Sequence, residues 1–125
     1  MSKILLDCGN CQPDFQSMKR LVQQAFHAEA IQTNALDDTL SVLRERHVDL
    51  VTINRKLDCD YSDGIKVAEA IKADPDLCHI PVMLITNFED HQDAAVKAGC
   101  ERGFGKLAMA VPSTRDLLRP FLSDQ

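Results

Sequence analysis

The sequence lacks long apolar runs and clusters of positive charge. Its apolar runs stop at about five residues, whereas a membrane-spanning helix needs about 20. Acidic residues number 19 against 14 Lys and Arg, giving a net charge of −5. Binding to nucleic acid depends on clustered Lys and Arg that neutralise phosphates, and no such cluster is present. We therefore expect neither a membrane nor a nucleic acid as partner.

Signals for export are also missing. Met1-Ser2-Lys3 passes directly into an apolar segment, without the pattern of a signal peptide, so we expect a cytoplasmic protein. The cysteines are odd in number, which favours reduced thiols over a disulfide scaffold. They are Cys8, Cys11, Cys59, Cys78 and Cys100. No repeat, low-complexity segment or internal linker interrupts the chain, which predicts one domain over residues 1–125.

Motifs of catalysis and metal binding are scarce. There is no glycine-rich phosphate loop, nucleophile elbow or catalytic triad pattern. The four histidines form no pair at helical spacing, and a lone Cys-x-x-Cys at Cys8 and Cys11, even with His27 and Cys59, is a weak zinc signal. We therefore expect a protein that is not an enzyme and has no metal or other cofactor.

What the sequence does contain is an alternation of two hydrophobic periodicities. Short apolar segments predict strands at residues 3–7, 30–34, 49–54, 81–86 and 102–106. Amphipathic spacing predicts helices at 13–28, 37–47, 64–74 and 89–98, with Gly99 as a left-handed cap. Ser113 and Asp116 predict a capping box for a last helix that extends through Leu122.

Five strands alternating with five helices predict a doubly wound parallel sheet covered on both faces. Ligand sites in such sheets lie at the carboxyl ends of the strands. Asp7, Asn54, Thr86 and Lys106 all end predicted strands. We expect their side chains to meet in one crevice.

The order of several short motifs resembles the receiver domain of bacterial response regulators. These motifs are Val48-Asp49-Leu50-Val51, Asp63-Gly64, Ala73-Asp74-Pro75, His79-Ile80-Pro81-Val82 leading to Thr86, and Ala98-Gly99 followed by Phe104 and Lys106. The resemblance covers essentially the whole chain. It implies a flavodoxin-like (βα)5 fold with a five-stranded parallel sheet.

The resemblance also implies the role of each site position. In receivers, two acids after strand one and an aspartate ending strand three hold Mg²⁺, and that aspartate accepts the phosphoryl group. A hydroxyl and a lysine hold the phosphoryl oxygens, and Thr86 and Lys106 match them, with Phe104 beside the lysine. Asn54 stands where the acceptor aspartate is expected.

The acidic pair is also incomplete, because the chain offers only Asp7, Cys8 and Gly9 after strand one. In one register Asp7 is the first acid and Cys8 takes the second position. In the other, Cys8 and Gly9 replace both acids and Asp7 is an ordinary strand residue. Either way at most one carboxylate remains, and Mg²⁺ prefers hard oxygen ligands, so we expect its binding to be weak or absent.

These departures predict a pseudo-receiver in bacterial two-component or phosphorelay signalling, one that acts through phosphorylation-independent contact with a signalling protein. Thr86 and Lys106 either keep a switching role or serve the structure, Thr86 by satisfying a backbone group and Lys106 by pairing with Asp7. One alternative is phosphorylation at a displaced acid, Asp58 or Asp60. Another is a redox dithiol of Cys8 and Cys11, with the first thiol activated by the following helix.

Lys106 is followed by Leu107, where the family usually has proline, and residues 107–111 form a final apolar segment. Receivers commonly use the face of helix four, strand five and helix five for contacts, including homodimers. Leu107, Met109 and Val111 are therefore candidate interface residues. The alternative is that Leu107 and Val111 pack beneath helix five.

Overall fold

Four short apolar segments form a parallel sheet at the centre of the protein. In the computed structural model, which describes residues 2–123, the strands are β1 (Ile4–Cys8), β2 (Glu29–Thr33), β3 (Leu50–Asn54) and β4 (Val82–Ile85). Their order is β2-β1-β3-β4, and every neighbouring pair is parallel. β4 is buried along its whole length, as expected for a strand covered on both faces.

Five helices cover the two faces of this sheet. They are α1 (Gln12–Phe26), α2 (Leu36–Glu45), α3 (Ile65–Ala73), α4 (Glu89–Lys97) and α5 (Pro112–Leu122). On one face, Leu5, Leu50 and Met83 of the strands pack with Met18 and Val22 of α1 and Leu118 and Leu122 of α5. On the other, Leu6, Val51 and Ile53 pack with Leu43 of α2, Val67 and Ile71 of α3 and Ala95 of α4. The predicted doubly wound, flavodoxin-like architecture is confirmed.

The helix ends depart slightly from the predicted ones. α1 ends at Phe26, because His27 adopts a left-handed conformation with φ of 55° and donates its backbone N–H to Gln23. Gly99, with φ of 105°, follows α4 as predicted. The predicted capping box of Ser113 and Asp116 is wrong. The N-cap of α5 is Val111, two residues before Ser113, and Asp116 lies 3.3 Å from Arg119 instead.

The predicted fifth strand is also wrong as a regular strand, since the described sheet has four. Residues 102–105 do run beside β4, and Glu101 forms an isolated parallel bridge to Met83. The buried Gln92 side chain intervenes there. Its Nε2 donates to the carbonyl of Leu84 at 2.9 Å, and its Oε1 accepts the N–H of Gly103 at 2.8 Å. An α4 side chain thus supplies contacts that a continuous backbone ladder would make.

Two further features complete the described chain. Residues Lys106–Ala108 form a short 3₁₀ helix between the edge segment and α5. Across residues 2–123, none of the helices combines the length and apolar character required to cross a bilayer.

Candidate functional site

The carboxyl ends of β3 and β4 open into a cavity of about 210 Å³. Asn54 ends β3, Thr86 follows β4 directly, and both line the cavity together with Lys106. Of the four residues predicted to meet at one edge of the sheet, these three line the cavity, whereas the prediction is wrong for Asp7, which is buried and does not line it. The remaining lining residues are Arg55, Lys56, Ile85, Asn87 and Phe88. Among the described residues that line the cavity, three are cations and none is an acid.

Asn54 is held by its neighbours in the chain. Its side-chain Nδ2 donates a hydrogen bond to the carbonyl oxygen of Lys56 at 2.6 Å. Gly64, which precedes α3, approaches so closely that a Cβ there would lie 2.0 Å from the carbonyl oxygen of Asn54. Glycine at this position lets α3 start directly against the end of β3.

Thr86 has partners on the loop that leads into α4. Its hydroxyl oxygen accepts the N–H of Phe88 at 3.2 Å and lies 3.3 Å from Nδ1 of His91. Its backbone N–H donates to the carbonyl of Phe104 at 3.1 Å, which ties the edge segment to β4. Phe104 is buried in the core between the sheet, α1 and α5. Thr86 therefore contributes to local structure at the cavity wall.

Lys106 pairs with Asp14 rather than Asp7, so the predicted Lys106–Asp7 pair is wrong. The Nζ of Lys106 lies 2.6 Å from Oδ2 of Asp14, near the start of α1. The hydrogen bond from Lys106 lowers the pKa of the Asp14 carboxyl. This ion pair links the site edge to α1 across 92 positions of sequence.

Asp7 is fully buried within β1, where it does not line the cavity of Asn54. Its carboxylate accepts hydrogen bonds from Nδ2 of Asn10 at 2.7 Å and from the hydroxyl of Thr52 at 2.9 Å. Burial raises the pKa of Asp7 to about 6, because desolvation outweighs these hydrogen bonds and the charge of Lys106. The Oδ1 of Asn10 is buried without a hydrogen-bond partner in the described structure.

The register of β1 and β3 places Gly9 level with Asn54. Asp7 pairs with Thr52 and Cys8 with Ile53, so the next residues in the two chains are Gly9 and Asn54. Gly9 has φ of 84°, and a Cβ there would lie 2.4 Å from Cδ2 of Leu57. Leu57 belongs to the connection from β3 to α3. A side chain at position 9 would therefore meet both backbone strain and Leu57.

Leu57 and the adjacent pair Arg55 and Lys56 contribute to the site but are not among the residues predicted from the sequence. Leu57 closes the space over Gly9, and no sequence pattern reports a contact of that kind. Arg55 and Lys56 supply two of the three cations around the cavity. They were visible as adjacent basic residues immediately after the end of a strand, a signal that could have identified them.

Cys8 and Cys11 do not form an activated pair. Cys8 is buried, and its thiol accepts a hydrogen bond from the hydroxyl of Thr39 at 3.3 Å. Burial raises the pKa of Cys8, so the expectation that the helix would lower it is wrong. The thiol of Cys11 donates instead to Asp14 at 3.2 Å. All five cysteines are free thiols.

The displaced acids lie away from the cavity of Asn54. Asp58 and Asp60 are exposed, and neither lines that cavity. Asp60 accepts hydrogen bonds from the backbone and hydroxyl of Ser62, at 2.9 and 2.6 Å, which lower its pKa. Within residues 2–123, no three side chains of His, Cys, Asp or Glu are grouped so as to hold a metal ion.

The apolar segment 107–111 divides between surface and core. Leu107 is 86% exposed and Val111 is 43% exposed, so the alternative that these two pack beneath α5 is wrong. Met109 and Ala108 are instead half-buried against the core between the sheet, α1 and α5. Leu107 and Val111 both line a surface cavity of about 380 Å³ that also contacts Phe104.

A doubly wound sheet with polar residues gathered at its carboxyl edge is the architecture of signal receiver domains, and solved structures show the same fold. A putative response regulator from Chloroflexus aurantiacus superposes with a TM-score of 0.77 at 14% identity, over 95% of this chain and 100% of that one. The receiver domain of a DNA-binding response regulator from Colwellia psychrerythraea gives 0.76 at 18% identity, over 94% and 96%. No family model matches the chain.

Curated relatives show the family itself. The chain is 30% identical over 98 residues to the polar-differentiation response regulator DivK of Brucella ovis, which covers 77% of each protein. The corresponding protein of Brucella anthropi is 29% identical over the same length. The chain belongs to the response-regulator family, and its fold is that of a receiver domain of two-component signalling.

Proposed function

We propose that this receiver domain is a pseudo-receiver, which acts in the bacterial cytoplasm by contact with another signalling protein and without being phosphorylated. The observation that carries the proposal is Asn54, an amide at the end of β3 where receivers present their acceptor carboxylate. An amide is neutral and a weak nucleophile, and it cannot form an acyl phosphate. In this chain the Asn54 amide is engaged with the carbonyl of Lys56 at 2.6 Å.

The positions beside Asn54 support the same proposal. The pairing of Cys8 with Ile53 supports the register in which Cys8 and Gly9 stand in place of the acidic pair, and we infer that Asp7 is an ordinary strand residue. The left-handed backbone of Gly9 and the packing of Leu57 over it disfavour any side chain at that position. A thiol and an amide are poor ligands for Mg²⁺, which requires a near-octahedral shell of hard oxygens.

The charge around the cavity also disfavours a divalent cation. Arg55, Lys56 and Lys106 line it, and none of the described acids does. Lys106 is paired with Asp14 at 2.6 Å, and Lys56 is paired with Asp63 at 2.5 Å. Arg55 has no carboxylate partner among the described residues. A second positive ion placed among these groups meets repulsion that only its own ligands could offset. We therefore propose that Mg²⁺ binds weakly or not at all.

The contact surface we propose is formed by α4, residues 102–105 and α5. Leu107 is the most exposed large apolar side chain described, and Val111 lies near it on the wall of the same cavity. Exposed apolar groups of this kind often mark protein contacts. The partner is a signalling protein or a second copy of the chain. Met109 supports this surface from beneath, since it packs against the core.

The two alternatives, a displaced phosphoryl acceptor and a redox dithiol, are not favoured by the positions and environments of their residues. Phosphorylation at Asp58 or Asp60 would place the phosphoryl group outside the cavity that contains Thr86 and Lys106. A dithiol of Cys8 and Cys11 requires an activated thiol, whereas burial raises the pKa of Cys8.

Amide NMR spectra recorded before and after addition of acetyl phosphate with Mg²⁺ test the proposal. We expect unchanged signals for Asn54, Thr86 and Lys106. New signals at these positions, which decay as an acyl phosphate hydrolyses, would overturn it.

A further inference from the structure

A second cavity, of about 240 Å³, opens between the first turns of α3 and α4. It is lined by Arg55, Asp63, Ile65, Leu84, His91 and Ala94. We propose that it binds a small organic monocarboxylate, with the carboxylate on Arg55 and a short alkyl chain against Ile65, Leu84 and Ala94. This cavity shares Arg55 with the cavity of Asn54, but binding of a carboxylate here does not depend on whether the domain is phosphorylated.

Arg55 supplies the charge for such a ligand. Its guanidinium lies 5.8 Å from the centre of the Phe88 ring, and no described carboxylate pairs with it. The planar fork of a guanidinium matches the two oxygens of a carboxylate. The aromatic contact restricts the Arg55 side chain, so less freedom is lost when a ligand binds.

Asp63, the acid that lines the same cavity, already has its negative charge balanced by Lys56. Asp63 lies 2.5 Å from Nζ of Lys56, and that hydrogen bond lowers its pKa, with a smaller contribution from the charge of Arg55. Arg55, Lys56 and Asp63 together leave one positive charge in excess. This favours a monoanion, since a phosphate dianion would require a second unpaired cation.

His91 places a polar ring nitrogen at the cavity wall. The hydroxyl oxygen of Thr86 accepts the N–H of Phe88 and lies 3.3 Å from Nδ1 of His91. With Nδ1 beside Thr86, Nε2 is the ring nitrogen left to contact a ligand. The ring also packs edge-on against Phe88, with the centroids 5.3 Å apart, and so has a fixed orientation at the cavity wall.

The other walls favour an alkyl chain over a second polar group. Leu84 is a buried residue of β4, Ile65 is the first residue of α3, and Ala94 lies on α4. Water occupies about 30 Å³ per molecule, so the cavity has space for several heavy atoms. Each methylene buried against such walls strengthens binding by about fourfold.

The test titrates the protein with sodium acetate, butyrate and hexanoate, followed by amide NMR, at an ionic strength kept constant with sodium chloride. We expect signals of Ile65, Leu84, His91 and Ala94 to shift, with affinity rising along the series until the chain fills the cavity. Hexylamine, which carries the opposite charge, should not bind. Failure of all three carboxylates to shift these signals, or equal binding of hexylamine, would overturn the proposal.

Two variants and one matched control variant test where the carboxylate binds. Arg55→Gln should weaken hexanoate binding about tenfold or more, because a charge-assisted hydrogen bond is lost. Arg20→Gln makes the same change in charge at an exposed position of α1 and should leave binding unchanged. Ala94→Leu fills the cavity without altering charge, so it should abolish binding even if Arg55→Gln perturbs the fold. Hexanoate binding that survives Ala94→Leu, or falls equally in Arg20→Gln, would contradict the assignment.

Discussion

Asp7 and Thr52 lie side by side on β1 and β3, where the threonine hydroxyl donates to the buried carboxylate at 2.9 Å. Asn10 donates to the other carboxylate oxygen. The two bonds do not compensate fully for the loss of water, because burial still raises the pKa of Asp7 from 3.8 to about 6. A buried acid of this kind makes the stability of the fold depend on pH.

The first prediction concerns that dependence. Between pH 4 and 6 the folded state holds a proton on Asp7 that the unfolded chain releases, so this residue lowers stability as the pH rises, by roughly 3 kcal/mol at most. Asp7→Asn removes the ionisation, and the new amide can donate to the unpartnered Oδ1 of Asn10 once that amide flips. We expect the variant to be more stable than wild type at pH 7.5, with the difference vanishing towards pH 4.

Urea unfolding of both proteins at several pH values measures this difference. Asp14→Asn is the control, since the hydrogen bond from Lys106 lowers the pKa of Asp14 and its removal should not stabilise the protein. An Asp7→Asn variant that is less stable than wild type at pH 7.5 would show that the carboxylate is better satisfied than burial implies.

The second prediction concerns thiol reactivity. Cys59 and Cys78 are exposed and should react with a thiol reagent sooner than Cys8 and Cys100, because burial shields the latter two from the reagent. The pKa does not distinguish the two groups, since desolvation and the charge of Asp60 raise the pKa of Cys59 as burial raises those of Cys8 and Cys100. The unfolded protein should titrate as five free thiols. Mass mapping of labelled peptides over time distinguishes the positions. Rapid labelling of Cys8, or a readily formed Cys8–Cys11 disulfide, would support the redox alternative.

The third prediction distinguishes Leu107, which is exposed in the segment 107–111, from Met109, which packs against the core. Leu107→Glu should weaken self-association or partner binding and leave the melting temperature unchanged, because the side chain is 86% exposed. Met109→Glu should lower the melting temperature, since Met109 packs against the core. Tyr61→Glu, at an exposed position in the connection from β3 to α3, is the control. Analytical ultracentrifugation with thermal unfolding measures both effects, and unchanged association in Leu107→Glu would exclude this surface as a self-association interface.

The fourth prediction concerns Mg²⁺. With a dissociation constant above about 10 mM, 10 mM Mg²⁺ should raise the melting temperature by less than about 2 °C relative to sodium chloride of equal ionic strength. The reason is that cations line the cavity and no described acid does. A rise of several degrees that disappears in Asp7→Asn would show that Asp7 contributes to a metal site after all.

The strands and the site edge could be predicted because their signals are local. β3 ends at Asn54 and β4 ends one residue before Thr86, and parallel strands necessarily present these ends at one edge. The fifth strand could not be predicted correctly, because its replacement depends on the Gln92 side chain reaching from α4 to both Leu84 and Gly103.

Two other features also depend on tertiary structure. Leu57 covers Gly9 only because the connection after β3 folds back onto β1, where Asp58 donates its N–H to the carbonyl of Gly9 at 2.8 Å. Lys106 selects Asp14 over Asp7 because Asp14 lies at the accessible start of α1, whereas Asp7 is buried inside the sheet. Neither the contact of Leu57 with Gly9 nor the pairing of Lys106 with Asp14 can be predicted from the spacing of residues along the chain.

The fifth prediction tests the central claim, that Asn54 leaves the domain without a phosphoryl acceptor. Intact mass spectrometry after incubation with acetyl phosphate and Mg²⁺ measures it directly, with a receiver domain known to be phosphorylated treated in parallel as the positive control. We expect the control to gain the mass of one phosphoryl group and this protein to gain none. A phosphoryl group that appears on this protein and is lost in mild base would contradict the account, and peptide mapping would then assign it to Asp58, Asp60 or another carboxylate.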